Sequence, residues 1–146
     1  MDGIEYLGGY DGILKDICKG LKCCLPRCYS MANDLFDLMI PEGSVIIPMP
    51  CHLGMPRYMN PVAELLCENG KRELFPFLHC VPHESHYDIK KRGEIPEEPS
   101  MFIVEGMELP KGKAIYIIDN VISSGATARA ALKAMPNATV VALAKG

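Results

Sequence analysis

The stretch Ala114-Ile115-Tyr116-Ile117-Ile118-Asp119-Asn120-Val121-Ile122-Ser123-Ser124-Gly125-Ala126-Thr127-Ala128 decides how the rest of the chain is read. Its first half is an unbroken apolar run rich in β-branched residues, set off on its N-terminal side by Lys111-Gly112-Lys113. Such a run, bounded by turn residues, predicts a strand buried on both faces in the middle of a parallel sheet. An acid and an amide, Asp119 and Asn120, stand at its C-terminal end, followed by two apolar residues and the small polar loop Ser123 to Thr127. From Ala128 to Met135 the composition is that of a helix. A strand, a loop of small residues and a helix N-terminus together make an anion site. Small side chains let backbone N–H groups close around a phosphate, and the helix dipole adds favourable potential. The hydroxyls of Ser123, Ser124 and Thr127 add donors.

Apolar strand, acid-(acid or amide), two apolar residues, then Ser-Ser-Gly-x-Thr resembles the phosphoribosyl-pyrophosphate (PRPP) signature of type I phosphoribosyltransferases. The resemblance implies that Asp119, Asn120, Val121, Ser123, Ser124, Gly125, Ala126 and Thr127 bind PRPP, with Asp119 and Asn120 on the ribose hydroxyls and Ser123 to Thr127 on the 5′-phosphate. The chemistry agrees: a carboxylate would repel a phosphate but is a good acceptor for sugar hydroxyls one step away. The family's usual second acid is here Asn120, which can still bond a hydroxyl but carries no charge towards a developing ribosyl cation. The motif has neither the Gly-Lys-Ser/Thr of a P-loop nor the glycine spacing of a dinucleotide fold.

Upstream, Ser44 to Met49 reads as the first core strand, and it runs into Pro50-Cys51-His52-Leu53-Gly54-Met55-Pro56-Arg57, whose prolines and glycine preclude regular structure. Tyr58 to Asn69 then reads as a helix capped by Gly70. A loop at the carboxyl end of a parallel strand is where open α/β sheets bind ligands. This unit resembles the pyrophosphate loop of the same family, with Pro50, Cys51, His52 and Arg57 as its residues. Arg57 is the one best suited to meet a pyrophosphate oxygen. Pro-Met-Pro, Arg57 and Asn60 before a helix are similar to the ComF-type, competence-associated members. So is Tyr10-x-Gly12-x-Leu14-x-x-Ile17.

The remaining segments fall into place around these two units. Met1 to Tyr10, with Gly3, Gly8 and Gly9, reads as irregular or as a short extended piece. Asp11 to Cys24 has apolar residues at amphipathic helical spacing, Leu25-Pro26-Arg27 interrupts, and Ser30 is a candidate cap for a second helix to Met39. Glu73 to Cys80 and Met101 to Glu105 read as further strands, with Pro76 pushing the first towards an edge. Ala138 to Ala144 reads as a last buried strand. Val81 to Ser100 carries Pro82, Pro96 and Pro99 around Lys90-Lys91-Arg92-Gly93 and reads as a long loop. It falls where the family has a flexible loop, so the resemblance implies that Lys90, Lys91 or Arg92 neutralises the leaving pyrophosphate. His83 and His86 read as exposed loop residues.

Composition narrows the classes. At 146 residues there is room for one domain and a real core. A net charge of -3 argues against general nucleic-acid binding. No apolar run approaches the roughly 20 residues that span a bilayer. The first residues lack the basic and apolar regions of a secretory signal, so a cytoplasmic location is expected. Seven cysteines, an odd number, then imply reduced thiols. Cys18, Cys23, Cys24 and Cys28 cluster, but their spacing is not that of a paired Cys-x-x-Cys zinc site, and no protein metal site is expected.

Strands alternating with helices predict a three-layer α/β/α domain around a mostly parallel sheet of about five strands. The resemblance adds a small N-terminal helical hood over residues 1–43, with residues 44–146 as the α/β core. It implies transfer of a 5-phosphoribosyl group from PRPP to a nitrogenous base or related acceptor, with Asp119, Asn120 and Arg57 as the catalytic set and pyrophosphate released. Mg²⁺ would be bound through PRPP. The alternative is a non-catalytic PRPP-binding accessory or sensor protein in DNA uptake or nucleotide metabolism, and a third reading keeps the fold without the ligand. No membrane partner is expected, and the resemblance leans towards a homodimer.

Overall fold

The computed structural model describes residues 3–146; Met1 and Asp2, which open the segment expected to be irregular or a short extended piece, lie outside them. Five parallel strands form the central sheet. They are β1 (Ile4–Gly9), β2 (Val45–Pro48), β3 (Glu73–Leu74), β6 (Ile115–Ile122) and β7 (Ala138–Lys145), in the spatial order β1-β7-β6-β2-β3. β4 (Leu78–Cys80) and β5 (Met101–Ile103) pair antiparallel in a separate two-stranded ribbon. The helices are α1 (Gly12–Lys22), α2 (Pro26–Met39), α3 (Met59–Cys67), α4 (His86–Lys91) and α5 (Ala126–Ala134).

The expected α/β/α architecture is present. β6 is central, flanked by β7 over most of its length and by β2 from Val45–Ile115 to Pro48–Ile118. Alternate residues of the sheet feed two cores. On one face Ile46, Ile118, Val141 and Leu143 pack with α1, α2 and α3, through Ile17, Leu21, Phe36, Met59 and Leu66. On the other face Val45, Ile47, Ile117 and Val140 pack with α5, through Ala128 and Ala131, and with Leu78 of the ribbon. Both faces of β2 and β6 are covered, which is why their sequences are continuously apolar rather than alternating.

Several local expectations are corrected. Of the two readings of the N-terminal segment, irregular or a short extended piece, the described residues show the second: β1 lies parallel to β7 at the sheet edge, from Ile4–Val140 to Gly9–Lys145. Its glycines and half-exposed Tyr6 and Leu7 hide the buried pattern that marks a central strand. Residues 3–43 are therefore continuous with the core. β1 belongs to the sheet, and α1 and α2 fill a helical layer together with α3. Leu25-Pro26-Arg27 does separate the first two helices, but the second starts at Pro26 rather than after a Ser30 cap, with the proline in the first turn where a missing N–H costs nothing. The long strand expected from Glu73 to Cys80 is split at Pro76 into β3 and β4, which belong to different sheets. Met101 to Glu105, expected to extend the core sheet, supplies β5 of the ribbon instead. The segment 81–100 contains α4, capped by Ser85, whose hydroxyl accepts from the Asp88 N–H at 3.2 Å. A six-residue helix is too short to show a 3.6-residue period.

Among the described residues, no helix is long and apolar enough to cross a membrane.

Candidate functional site

β2 and β6 are neighbours, yet the helices that follow them go to opposite faces, α3 with the first core and α5 with the second. Their connecting loops therefore diverge, leaving a crevice at the carboxyl ends of the two strands. Pairing of β2 with β6 ends at Ile118, beyond which the Met49 N–H still donates to the Ile118 carbonyl at 3.0 Å. From Asp119 onward β6 keeps its partner β7 but has lost β2, so its free edge opens into a cleft of about 550 Å³.

The floor of the cleft is the end of β6. Asp119 is only 7% exposed and Asn120 3%. Burial pushes the Asp119 carboxyl up to about 7, against the Asn120 N–H, which donates to its Oδ1 at 2.8 Å, and against nearby Lys22. Asn120 Oδ1 accepts from the Val121 N–H at 2.8 Å, while Asn120 Nδ2 is buried without a partner. That amide group is a donor held ready where a ligand acceptor would relieve it.

The loop after β6 turns on Gly125, whose φ of +84 lies in the left-handed region and which caps α5. Ser124 Oγ accepts from the Ala126 N–H at 3.3 Å, and Arg129 Nη1 donates to the Ser124 carbonyl at 3.0 Å. α5 starts at Ala126, two residues before the expected start, so Thr127 stands in its first turn. Ala126 and Ala128 are buried, which fixes the loop against the core.

The loop after β2 is pinned by short bonds: Cys51 N–H to the Met55 carbonyl and Gly54 N–H to the Cys51 carbonyl, both 3.0 Å, with a bridge between Pro50 and Pro56. Gly54 has φ of +113, and a Cβ there would stand 3.0 Å from the Cys80 carbonyl. Pro50, Cys51, His52 and Arg57 all line the cleft.

The structure thus brings together Asp119, Asn120, Val121, Ser123, Ser124, Gly125, Ala126, Thr127, Pro50, Cys51, His52, Arg57 and Lys90 on one cleft wall or another. Of the cationic run, only Lys90 faces the cleft, where its ammonium donates to Ser123 Oγ. Arg92 is turned away into ion pairs with Glu84 and Glu94, and Lys91 does not line the cavity. Sequence reasoning missed His83 and His86, expected to be exposed; both are half-buried and line the cleft. It also missed Tyr10, Lys22 and Tyr58 on the α1 side. Burial, then Asp119, Cys51 and Cys18, pushes the Tyr58 phenol above its usual range, so it stays a neutral hydroxyl.

Charge gives the cleft its chemical character. The protein is acidic overall, yet Lys22, Arg57 and Lys90 line the cavity with three histidines, and among the described residues Asp119 is its one acidic side chain. Such a surface attracts a multiply charged anion. Among the described residues, no group of three or more His, Cys, Asp or Glu side chains is placed to hold a metal ion. A divalent cation here would need to bring most of its oxygen ligands with it, as Mg²⁺ carried on a diphosphate does. The donor set fits that mode and offers Asp119 as the protein's own carboxylate.

Compared with protein-family models and with curated proteins, the chain matches none.

Proposed function

We propose that this protein is a phosphoribosyltransferase that takes the 5-phosphoribosyl group from PRPP to a nitrogenous base or related acceptor and releases pyrophosphate. The observation that carries the reading is the convergence, at the divergence of β2 and β6, of a hydroxyl-rich helix N-terminus, a buried acid-amide pair and a cationic rim in one cleft. Each part matches one part of the ligand. Backbone N–H groups and hydroxyls of Ser123 to Thr127 suit the 5′-phosphate, and Asp119 with Asn120 Nδ2 suits the ribose hydroxyls. Arg57 and the Pro50–His52 turn suit the diphosphate. Mg²⁺ bound through PRPP would supply neutralisation of the diphosphate charge. The chain's own residues orient the sugar and exclude water from one side of it, so catalysis is positioning and charge stabilisation, with no covalent nucleophile.

Asn120 favours a second reading, a PRPP-binding accessory or sensor protein. An uncharged amide whose oxygen is already engaged by the Val121 N–H gives a sugar cation no anionic partner. Pyrophosphate release separates the two. The protein is incubated with PRPP, Mg²⁺ and a panel of nitrogenous bases. Release that requires one base supports the transferase. PRPP binding without release for any base supports the accessory reading.

A further inference from the structure

Between the Ser123–Thr127 loop and the helix facing it lies a contact that the roles above leave unused. His86 Nδ1 is 3.4 Å from Thr127 Oγ1, and Lys90 Nζ donates to Ser123 Oγ. These side chains are four residues apart on α4, hence on one face of it, and they reach the two ends of the same loop. α4 is brought there by bonds of the segments that flank it. His83 N–H donates to the His52 carbonyl at 2.9 Å, and Val81 N–H to the Ser100 carbonyl at 2.9 Å. Glu98 pairs with Lys133 of α5 at 3.2 Å. Behind His86 stand His83, its ring centroid 5.2 Å away, and His52, 6.4 Å from His83.

We infer that His86 and Lys90 form the second half of the 5′-phosphate site, gripping that phosphate from the side opposite the Ser123–Thr127 loop, with a proton taken up at His86 on binding. The inference rests on the phosphoribosyl reading above and assigns to the 5′-phosphate a helix whose cations were expected to serve the leaving diphosphate. A phosphate entering between α4 and the loop takes over the Ser123 and Thr127 hydroxyls from Lys90 and His86, and itself accepts from all four. An ammonium and an imidazolium on a dianion form charge-assisted bonds, about twice as strong as neutral ones.

The surroundings of His86 make the bond proton-linked. Burial lowers its pKa from the usual imidazole value, followed by His83 and Lys90 beside it and His52 from the loop after β2; only the Glu97 carbonyl opposes them. From α5 it meets the uncharged hydroxyl of Thr127. The cleft's other titratable groups besides Asp119 are Lys22, Arg57, the Cys51 and Cys80 thiols, and the phenols of Tyr10, Tyr58 and Tyr87, and burial raises Cys80. Among the described residues, Asp119 is the one acidic side chain that lines the cavity, and no carboxylate is among the groups that shift His86. The ring is therefore mostly neutral when the site is empty, and a dianion beside it reverses the balance.

Two probes separate the ends of the ligand: ribose 5-phosphate, which carries only the 5′-phosphate, and inorganic pyrophosphate, which lacks it. Ribose 5-phosphate is titrated calorimetrically at about pH 7.5 in buffers of different ionisation enthalpy. A phosphate monoester with a pKa near 6 is already a dianion there and can only release protons, so net uptake must come from the protein. The expected result is net proton uptake by wild type, absent in His86→Asn. Affinity for ribose 5-phosphate should fall about tenfold in Lys90→Met and several-fold in His86→Asn, with pyrophosphate affinity unchanged in both. Absence of proton uptake by wild type overturns the inference without recourse to any variant. Variants that weaken pyrophosphate and spare ribose 5-phosphate overturn it too, while leaving the PRPP reading intact. Wild type that binds neither probe overturns both.

Discussion

The loop that follows β6 and the short helix that faces it meet the same space from opposite sides, but they are held by different means. Ser123 to Thr127 is anchored by the sheet beneath it: Ile122, Gly125, Ala126 and Ala128 are buried, and Gly125 holds a left-handed turn that the path from strand to helix requires. α4 has no buried residue among those described and is held by a Ser85 cap, backbone bonds and surface ion pairs. The first is set when the domain folds; the second is attached to its surface. An α/β fold can place backbone donors at a strand end with great accuracy, whereas side-chain donors arriving from a separate segment are free to vary without cost to the core.

The comparison breaks most visibly at Gly125. A β-branched residue at φ of +84 is strained, so Gly125→Val should lower stability by about 1–2 kcal/mol and abolish phosphate binding together, read by thermal unfolding and by titration with ribose 5-phosphate. Removing cationic side chains from α4 should leave thermal unfolding in place. If Gly125→Val kept wild-type stability and affinity, the loop would not be the rigid half.

A smaller effect sharpens the same contrast at the cleft floor. Burial holds the Asp119 pKa near 7 in the folded chain, above its unfolded value. The stabilisation linked to its protonation is then fully present below the unfolded pKa, and it is lost as pH rises through about 7. Thermal unfolding from about pH 5 to about pH 8 should show a decline in wild type relative to Asp119→Asn, whose amide does not titrate. Taking the difference between the two proteins removes the contribution of His86, which has the opposite sign because its pKa is lowered. Parallel curves would mean that Asp119 is not desolvated.

How much of this was legible in the sequence follows the same division. The β6–loop–α5 unit is contiguous, and its burial on both faces is written as an apolar run, so Asp119 to Thr127 and the parallel sheet could be read directly. Pro50 to Arg57 was legible as a loop by its prolines. β1 was obscure because a half-exposed edge strand with glycines has little pattern to read. The ribbon was obscure because pairing Leu78 with Ile103 is a non-local choice that Pro76 only hints at. His83 and His86 stood in plain view, and the Ser85-x-x-Asp88 cap could have announced a helix start. Their approach to Thr127, however, depends on where α4 docks, which no local signal records. Lys22 and Tyr58 were hidden for a related reason: Lys22 ends one helix and Tyr58 precedes another, and both helices were read only for their apolar faces.

The central claim is that the cleft at the ends of β2 and β6 is a PRPP site organised around Asp119. Calorimetric titration with PRPP, with and without Mg²⁺, on wild type beside Asp119→Ala tests it most directly. Mg²⁺-dependent binding in wild type, lost in a variant that still unfolds cooperatively, is the predicted result. No heat of binding in wild type, or equal affinity in the variant, would contradict it.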